Sequence, residues 1–148
     1  MAGGASSRMK SSLKNSSLRP EIKKQAEAVH KSLIHLGSNQ RPLLYYLISN
    51  AETAGYKNIY LITSPENTAF HNQIDKWGAN KIFTSITIRF ALQHIPHYRE
   101  KPLGTADAVQ QALEQYPELA NTTFTVCNGD NLYSTSVFKM LRASRKEP

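Results

Sequence analysis

Hydrophobic and polar positions along this chain follow two periods that take turns. In residues 42–54, Leu43, Leu44, Leu47, Ile48 and Ala51 recur at helical spacing, and Gly55 follows as a stop signal. Residues 58–63, Asn-Ile-Tyr-Leu-Ile-Thr, form a short continuous apolar run between turn residues, the pattern of a parallel strand covered on both faces. Residues 68–77 predict a weaker helix closed by Gly78, and residues 85–93, β-branched at their start, predict a strand. A loop with Pro96 and Pro102 leads to residues 105–116, a helix whose expected buried stripe is Ala106, Val109, Ala112 and Leu113, with Asp107 in its first turn. Residues 124–127 predict a strand that runs into Asn128-Gly129-Asp130-Asn131, and residues 136–143 start another helix. Nearer the N-terminus, a polar loop over residues 11–17 precedes a short helix over residues 19–31, with Pro20 at its first position and Ile22, Ala26 and Val29 on one face. Leu33-Ile34-His35-Leu36 is a brief apolar run closed by Gly37. Strands alternating with helices predict an α/β fold with a mainly parallel sheet, in one domain over residues 1–148 and without internal repeats.

Composition narrows the class without changing that picture. The 148 residues are 40% hydrophobic and 20% charged, ordinary for a globular domain. No apolar run approaches the ~18 residues of a membrane span, and Met1 to Lys14 lacks a signal-peptide core. Cys127 is the sole cysteine, which rules out an internal disulfide; a cytoplasmic protein is expected. The net charge of +7 is uneven: residues 1–31 carry +5, residues 32–138 carry −1, and residues 139–148 carry +3. A nucleic-acid-binding face is expected to spread its charge through the fold. A basic segment beside a glycine-rich loop fits a small polyanion such as a nucleoside triphosphate better, so no nucleic-acid partner is expected.

Three short constellations can carry chemistry. Gly3-Gly4-Ala5-Ser6-Ser7-Arg8 reads as a loop whose backbone N–H groups cradle phosphates while Arg8 pairs with terminal phosphates, or as a plain Gly/Ser-rich terminus. It matches neither the Walker spacing nor the dinucleotide fingerprint. Asn128-Gly129-Asp130 places a carboxylate at the end of a strand, suited to a Mg²⁺ held on substrate phosphates, and equally fits an Asx-type turn. Gly104-Thr105 at a helix start can offer N–H groups to a ligand, while Thr105 can also cap the helix. His94 and His97 have no partners at zinc-ligand spacing, and Cys127 reads as a small core residue. No Gly-x-Ser-x-Gly elbow supports a serine nucleophile.

In order, these pieces resemble one family. Ala2-Gly3-Gly4-Ala5-Ser6-Ser7-Arg8-Met9 is similar to the signature loop of the NTP-dependent nucleotidyltransferases, which include the sugar-1-phosphate nucleotidylyltransferases and their cytidylyltransferase relatives. His30-Lys31-Ser32-Leu33-Ile34 with Arg41-Pro42-Leu43-Leu44 resembles the family's Pro-Lys…Lys-Pro-Leu segment, and residues 99–109 its Gly-Thr-Ala helix start. Residues 124–130 resemble its strand ending in Gly-Asp. The resemblance implies a Rossmann-like nucleotidyltransferase domain, three-layer α/β/α, that transfers a nucleotidyl group from an NTP to a sugar-1-phosphate and releases pyrophosphate. On the same footing, the backbone at Ala2, Gly3 and Gly4 contacts the nucleotide, Arg8 holds the departing pyrophosphate and Lys31 neutralises the α-phosphate. Asp130 binds Mg²⁺, and Gly104 and Thr105 border base and ribose. Ser6 replaces the loop's second glycine, Arg41 stands where lysine is usual, and Pro102 occupies the place of a base-reading glutamine in uridylyl members. Members start with a strand before the loop and continue for about another hundred residues, with a sugar-binding region and a second acidic metal ligand. The sequence is therefore expected to be truncated at both ends, and inactive by itself. A nucleotide-sensing module that kept the fold without the chemistry is the alternative, with a basic nucleic-acid-binding protein behind it.

Overall fold

The computed structural model describes residues 30–143, together with residues 11–13, 17, 19, 20 and 23. The chain enters through a 3-10 turn at Lys31–Leu33, then a two-residue hairpin of β1 (His35–Leu36) and β2 (Arg41–Pro42), paired antiparallel. There follow α1 (Leu43–Thr53), β3 (Asn58–Thr63), α2 (Thr68–Ala79), β4 (Thr87–Leu92), α3 (Thr105–Gln115), a 3-10 helix at Pro117–Asn121 and α4 (Thr135–Ala143). No helix among the described residues is long and apolar enough to cross a membrane.

β3 and β4 pair in parallel, from Asn58 opposite Thr87 to Thr63 opposite Leu92. Successive side chains on β3 point to opposite faces, and the packing shows it. Leu61 joins Leu44, Leu47 and Ile48 of α1, Phe70 and Trp77 of α2 and Phe138 of α4 in one core. Ile62 joins Ala91 and the α3 residues Ala108 and Ala112 in a second. The sheet thus lies between α1, α2 and α4 on one side and α3 on the other. That is the expected three-layer α/β/α fold with a parallel sheet.

α1 forms on the stripe the pattern predicts, with Leu44, Leu47, Ile48 and Ala51 buried and Pro42 at its N-cap. It ends where Gly55 takes φ 90°, a conformation open to glycine and costly for other residues. Arg142 of α4 closes that end, donating from Nη1 to the Ala54 carbonyl at 2.6 Å. A cation at a helix C-terminus meets the negative end of its dipole, so this contact docks α4 onto α1.

Five expectations need correction. Gly78 does not stop α2, which continues to Ala79, and β4 is shorter than residues 85–93. Lys31 lies in a 3-10 turn rather than at the end of a helix, and most of residues 19–31 fall outside the described residues. Ala106 is exposed, while Ala108 and Ala112 form the buried face of α3. The helix is turned this way because Gln111 and Gln115 are needed against β4. Gln115 takes the Leu92 N–H on Oε1 and donates from Nε2 to the Leu92 carbonyl, both at 2.8 Å, and Gln111 does the same for His94 at 2.8 and 3.0 Å. The Tyr116 hydroxyl adds a bond to the Phe90 carbonyl at 2.6 Å. These side chains satisfy the outer edge of β4 as a neighbouring strand would.

Last, residues 124–127 join no β-ladder among the described residues. β-forming composition is a local preference, whereas a ladder needs a neighbour at strand spacing. Here the segment meets β3 across a cavity instead, spanned near its end by a hydrogen bond between the Tyr56 and Thr125 hydroxyls at 2.8 Å. Cys127 packs against the larger core, half-buried, and burial raises its thiol above the ordinary cysteine range. A thiol kept protonated is a poor nucleophile. Cys127 in the native chain is therefore expected to react with a disulfide reagent at pH 8 much more slowly than in urea; equal rates would show that the thiol is accessible and ionised.

Candidate functional site

Asp130 follows residues 124–127 in the turn Asn128-Gly129-Asp130-Asn131, with the Asn131 N–H reaching back to the Asn128 carbonyl at 3.4 Å. The chain beyond it is pinned by α1: Asn50 donates from Nδ2 to the Tyr133 carbonyl at 2.9 Å, and Thr135 donates to Asn50 Oδ1 at 3.4 Å. Asn50 was not singled out in the sequence. The available signal was a polar, weakly helix-forming side chain within an otherwise apolar helix.

Lys31 is fixed by its neighbours. His30 caps the 3-10 turn, accepting the Ser32 N–H on Nδ1 at 3.2 Å, and its ring packs on Phe70 with 5.1 Å between centroids. Ser32 and Leu33 are buried, and the Leu43 N–H bonds to the Ile34 carbonyl at 3.2 Å, tying the turn to the start of α1. The Lys31 ammonium forms an ion pair with the Asp130 carboxylate. Two residues singled out far apart in the sequence thus meet, one carried by the turn ahead of α1 and the other by the loop ahead of α4. Their side chains keep 39% and 26% of their surface exposed, which leaves both reachable by a ligand.

Gly104 and Thr105 are placed at the carboxyl end of β4. Gln93, the residue after β4, donates from Nε2 to the Gly104 carbonyl at 3.1 Å and to the Asp107 carboxylate at 2.8 Å. Gly104 is the N-cap of α3 with φ 119° and ψ −164°, a region essentially closed to other residues. A Cβ there would meet nothing within 4 Å, so the glycine is required by backbone conformation and not by crowding. Thr105 does not cap: the helix starts without a side-chain cap bond, in an exposed segment. Ala2, Gly3, Gly4 and Arg8 lie outside the described residues. Thr63, the last residue of β3, was also missed in the sequence. It is fully buried, and its hydroxyl has no hydrogen-bond partner among the described residues.

The nucleotidyl transferase family matches residues 26–148, most of the chain. The chain belongs to that family. Its members transfer a nucleotidyl group from an NTP to a phosphate acceptor, and the parallel sheet flanked by helices is the fold expected of a nucleotidyl transferase. No solved structure is a significant match.

The donors present bear on the metal such a reaction uses. No group of three or more His, Cys, Asp and Glu side chains that could hold a metal gathers among the described residues. Mg²⁺ carried on a triphosphate asks for less, since phosphates and waters fill most of its positions and one or two carboxylates complete them. A single reachable Asp130 carboxylate fits that donor set.

Proposed function

We propose that this nucleotidyl transferase chain uses Mg²⁺ and transfers a nucleotidyl group from an NTP to a sugar-1-phosphate, with the Lys31–Asp130 pair at the reacting phosphates. The observation that carries the reading is that ion pair, a cation and an anion held together on an open surface by buried anchors on either side. With no ligand, each charge neutralises the other. An incoming Mg–triphosphate offers better partners to both: phosphate oxygens for the ammonium, a divalent cation for the carboxylate. The pair exchanges partners without burying an uncompensated charge.

Phosphoryl-type transfer asks the protein for positioning and charge stabilisation and little else. A sugar-1-phosphate oxygen attacks the α-phosphorus, the bond to the bridging oxygen breaks, and pyrophosphate leaves in line. Lys31 neutralises the negative charge gathering on the α-phosphate, and Arg8 takes the oxygens of the departing pyrophosphate. Asp130 would hold Mg²⁺, which when bound would supply charge neutralisation at the phosphates. The backbone at Ala2, Gly3 and Gly4 lines the phosphates, while Gly104 and Thr105 border the base and ribose from the α3 N-terminus.

The test is a panel of NTPs and sugar-1-phosphates with Mg²⁺, run on the protein that carries this chain and read by pyrophosphate release. Release is expected for at least one pair and must require both substrates. NTP binding without release from any pair would leave a nucleotide-sensing module; release that ignores the sugar phosphate would reject the acceptor.

A further inference from the structure

Another cavity, of 430 Å³, lies between the β1–β2 hairpin and α2. It shares no lining residue with the Lys31–Asp130 pair or with the start of α3. Arg41, Lys76 and His35 line it and no Asp or Glu does, although Asp75 is next to Lys76 in the chain. Neither Arg41 nor Lys76 forms an ion pair among the described residues. Arg41 is seated on Tyr45 instead, its guanidinium 4.8 Å from the ring centre. Tyr45 is fixed in turn by Trp77 and Phe83, with 6.0 and 5.4 Å between centroids. A cation placed on a packed aromatic ring gives up little freedom when it takes a ligand.

Free donors surround this cavity. Trp77 lines it and is 4% exposed, yet its indole N–H meets no acceptor among the described residues. The Gln73 side-chain amide, also in the lining, makes no hydrogen bond among them either. The carbonyls at the end of α2, which would oppose an anion, are bonded within the chain. Lys76 O accepts the Asn80 N–H at 3.2 Å and its Nδ2 at 2.7 Å, while Trp77 O and Gly78 O accept the Ile82 and Lys81 N–H groups, both at 3.0 Å. Lys81 makes that closure at φ 49°, in the place glycine usually holds after a helix. Opposite, Pro42 lines the cavity as the N-cap of α1, whose first turn carries no acid and no side-chain cap. The positive end of that helix adds to the attraction.

We propose that this cavity binds a phosphate monoester of a small hydroxylated molecule, at a site separate from the Lys31–Asp130 pair. The two cations match the charge of about −1.5 to −2 that a monoester carries at pH 7. Guanidinium and ammonium donate charge-assisted bonds to its oxygens. Residues 32–138 carry a net charge of −1, so the basic character is local and suits a small anion rather than a nucleic acid. The cavity has the size of a small-molecule site, with room beyond a phosphate alone. The Gln73 amide and the Trp77 indole offer that remainder uncharged hydrogen bonds, which suit hydroxyls.

The test titrates the protein that carries this chain with ribose 5-phosphate, and with ribose and inorganic phosphate as its two halves, following the Trp77 indole N–H by NMR. Ribose 5-phosphate is expected to shift that resonance with a Kd below about 1 mM, and each half to bind about tenfold more weakly or worse. Arg41→Gln and Lys76→Gln should each weaken the ester about tenfold or more, the worth of one charge-assisted bond. Lys76 is exposed, so K76Q tests the site without disturbing the fold. Lys31→Met should leave this binding unchanged. No indole shift at about 10 mM ester would overturn the site. Equal binding of ribose would overturn recognition of the phosphate, and equal binding of inorganic phosphate would overturn the ester. Binding that survives K76Q and is lost in Lys31→Met would put the ligand at the Lys31–Asp130 pair and likewise overturn the proposal.

Discussion

Replacing Phe70 by alanine is expected to destabilise the chain by about 3–5 kcal/mol, the cost of emptying a fully buried aromatic site. Phe70 has no exposed surface and sits where α1, α2 and β3 meet, against a core that includes Leu44, Leu61 and Trp77. Against a total stability of about 5–15 kcal/mol for a domain, the loss removes about a fifth or more of what holds the fold. The same ring supports His30, which caps the turn that carries Lys31. F70A should therefore lower the urea midpoint and also loosen Lys31, while Phe70→Leu, which refills much of the volume, should recover most of both. Urea titrations followed by tryptophan fluorescence suit the measurement, since Trp77 lies in the same core. A midpoint change worth less than about 1 kcal/mol would mean that the core closes over the gap and that Phe70 does not organise it.

The link from Phe70 to Lys31 marks where sequence patterns stop being informative. α1, β3 and α2 are legible because their burial follows the chain's own periods, and Leu44, Leu47, Ile48 and Ala51 lie where helical spacing puts them. α3 is legible as a helix and misread in its facing. Its stripe is mostly alanine, which fits inside or outside, and the decision falls to Gln111 and Gln115, whose role depends on a strand edge that no local pattern reveals. Residues 124–127 show the same division: their β-branched and aromatic residues favour extension, while pairing depends on what lies alongside. Gly104 is readable in part, since a glycine ahead of a helix start is a common cap, but only the backbone shows that φ 119° demands it. The meeting of Lys31 with Asp130 is a long-range fact. Neither residue's surroundings in the sequence predict the other: Asp130 is marked by its place after a strand-like run, and Lys31 only by the resemblance to the nucleotidyltransferases.

That pair makes the sharpest functional prediction. Asp130→Asn keeps the size of the side chain and removes its charge, so an exposed ion pair worth about 0–1 kcal/mol is lost and the urea midpoint should hardly move. Turnover should respond very differently. If Asp130 holds the Mg²⁺ at the reacting phosphates, the loss of its charge removes several kcal/mol of charge stabilisation, and pyrophosphate release should fall by about a hundredfold to a thousandfold. Lys31→Met should also spare the fold while weakening transfer, because the α-phosphate loses its neutralising cation. The double variant separates a working pair from a merely structural one. Groups that act together on one transition state lose activity less than additively when both are removed, so the double variant should be little worse than D130N alone. Full activity in D130N would take Asp130 out of the metal role. Loss of stability in both single variants with turnover per folded molecule unchanged would make the ion pair a clasp between the turn ahead of α1 and the loop ahead of α4, and nothing more.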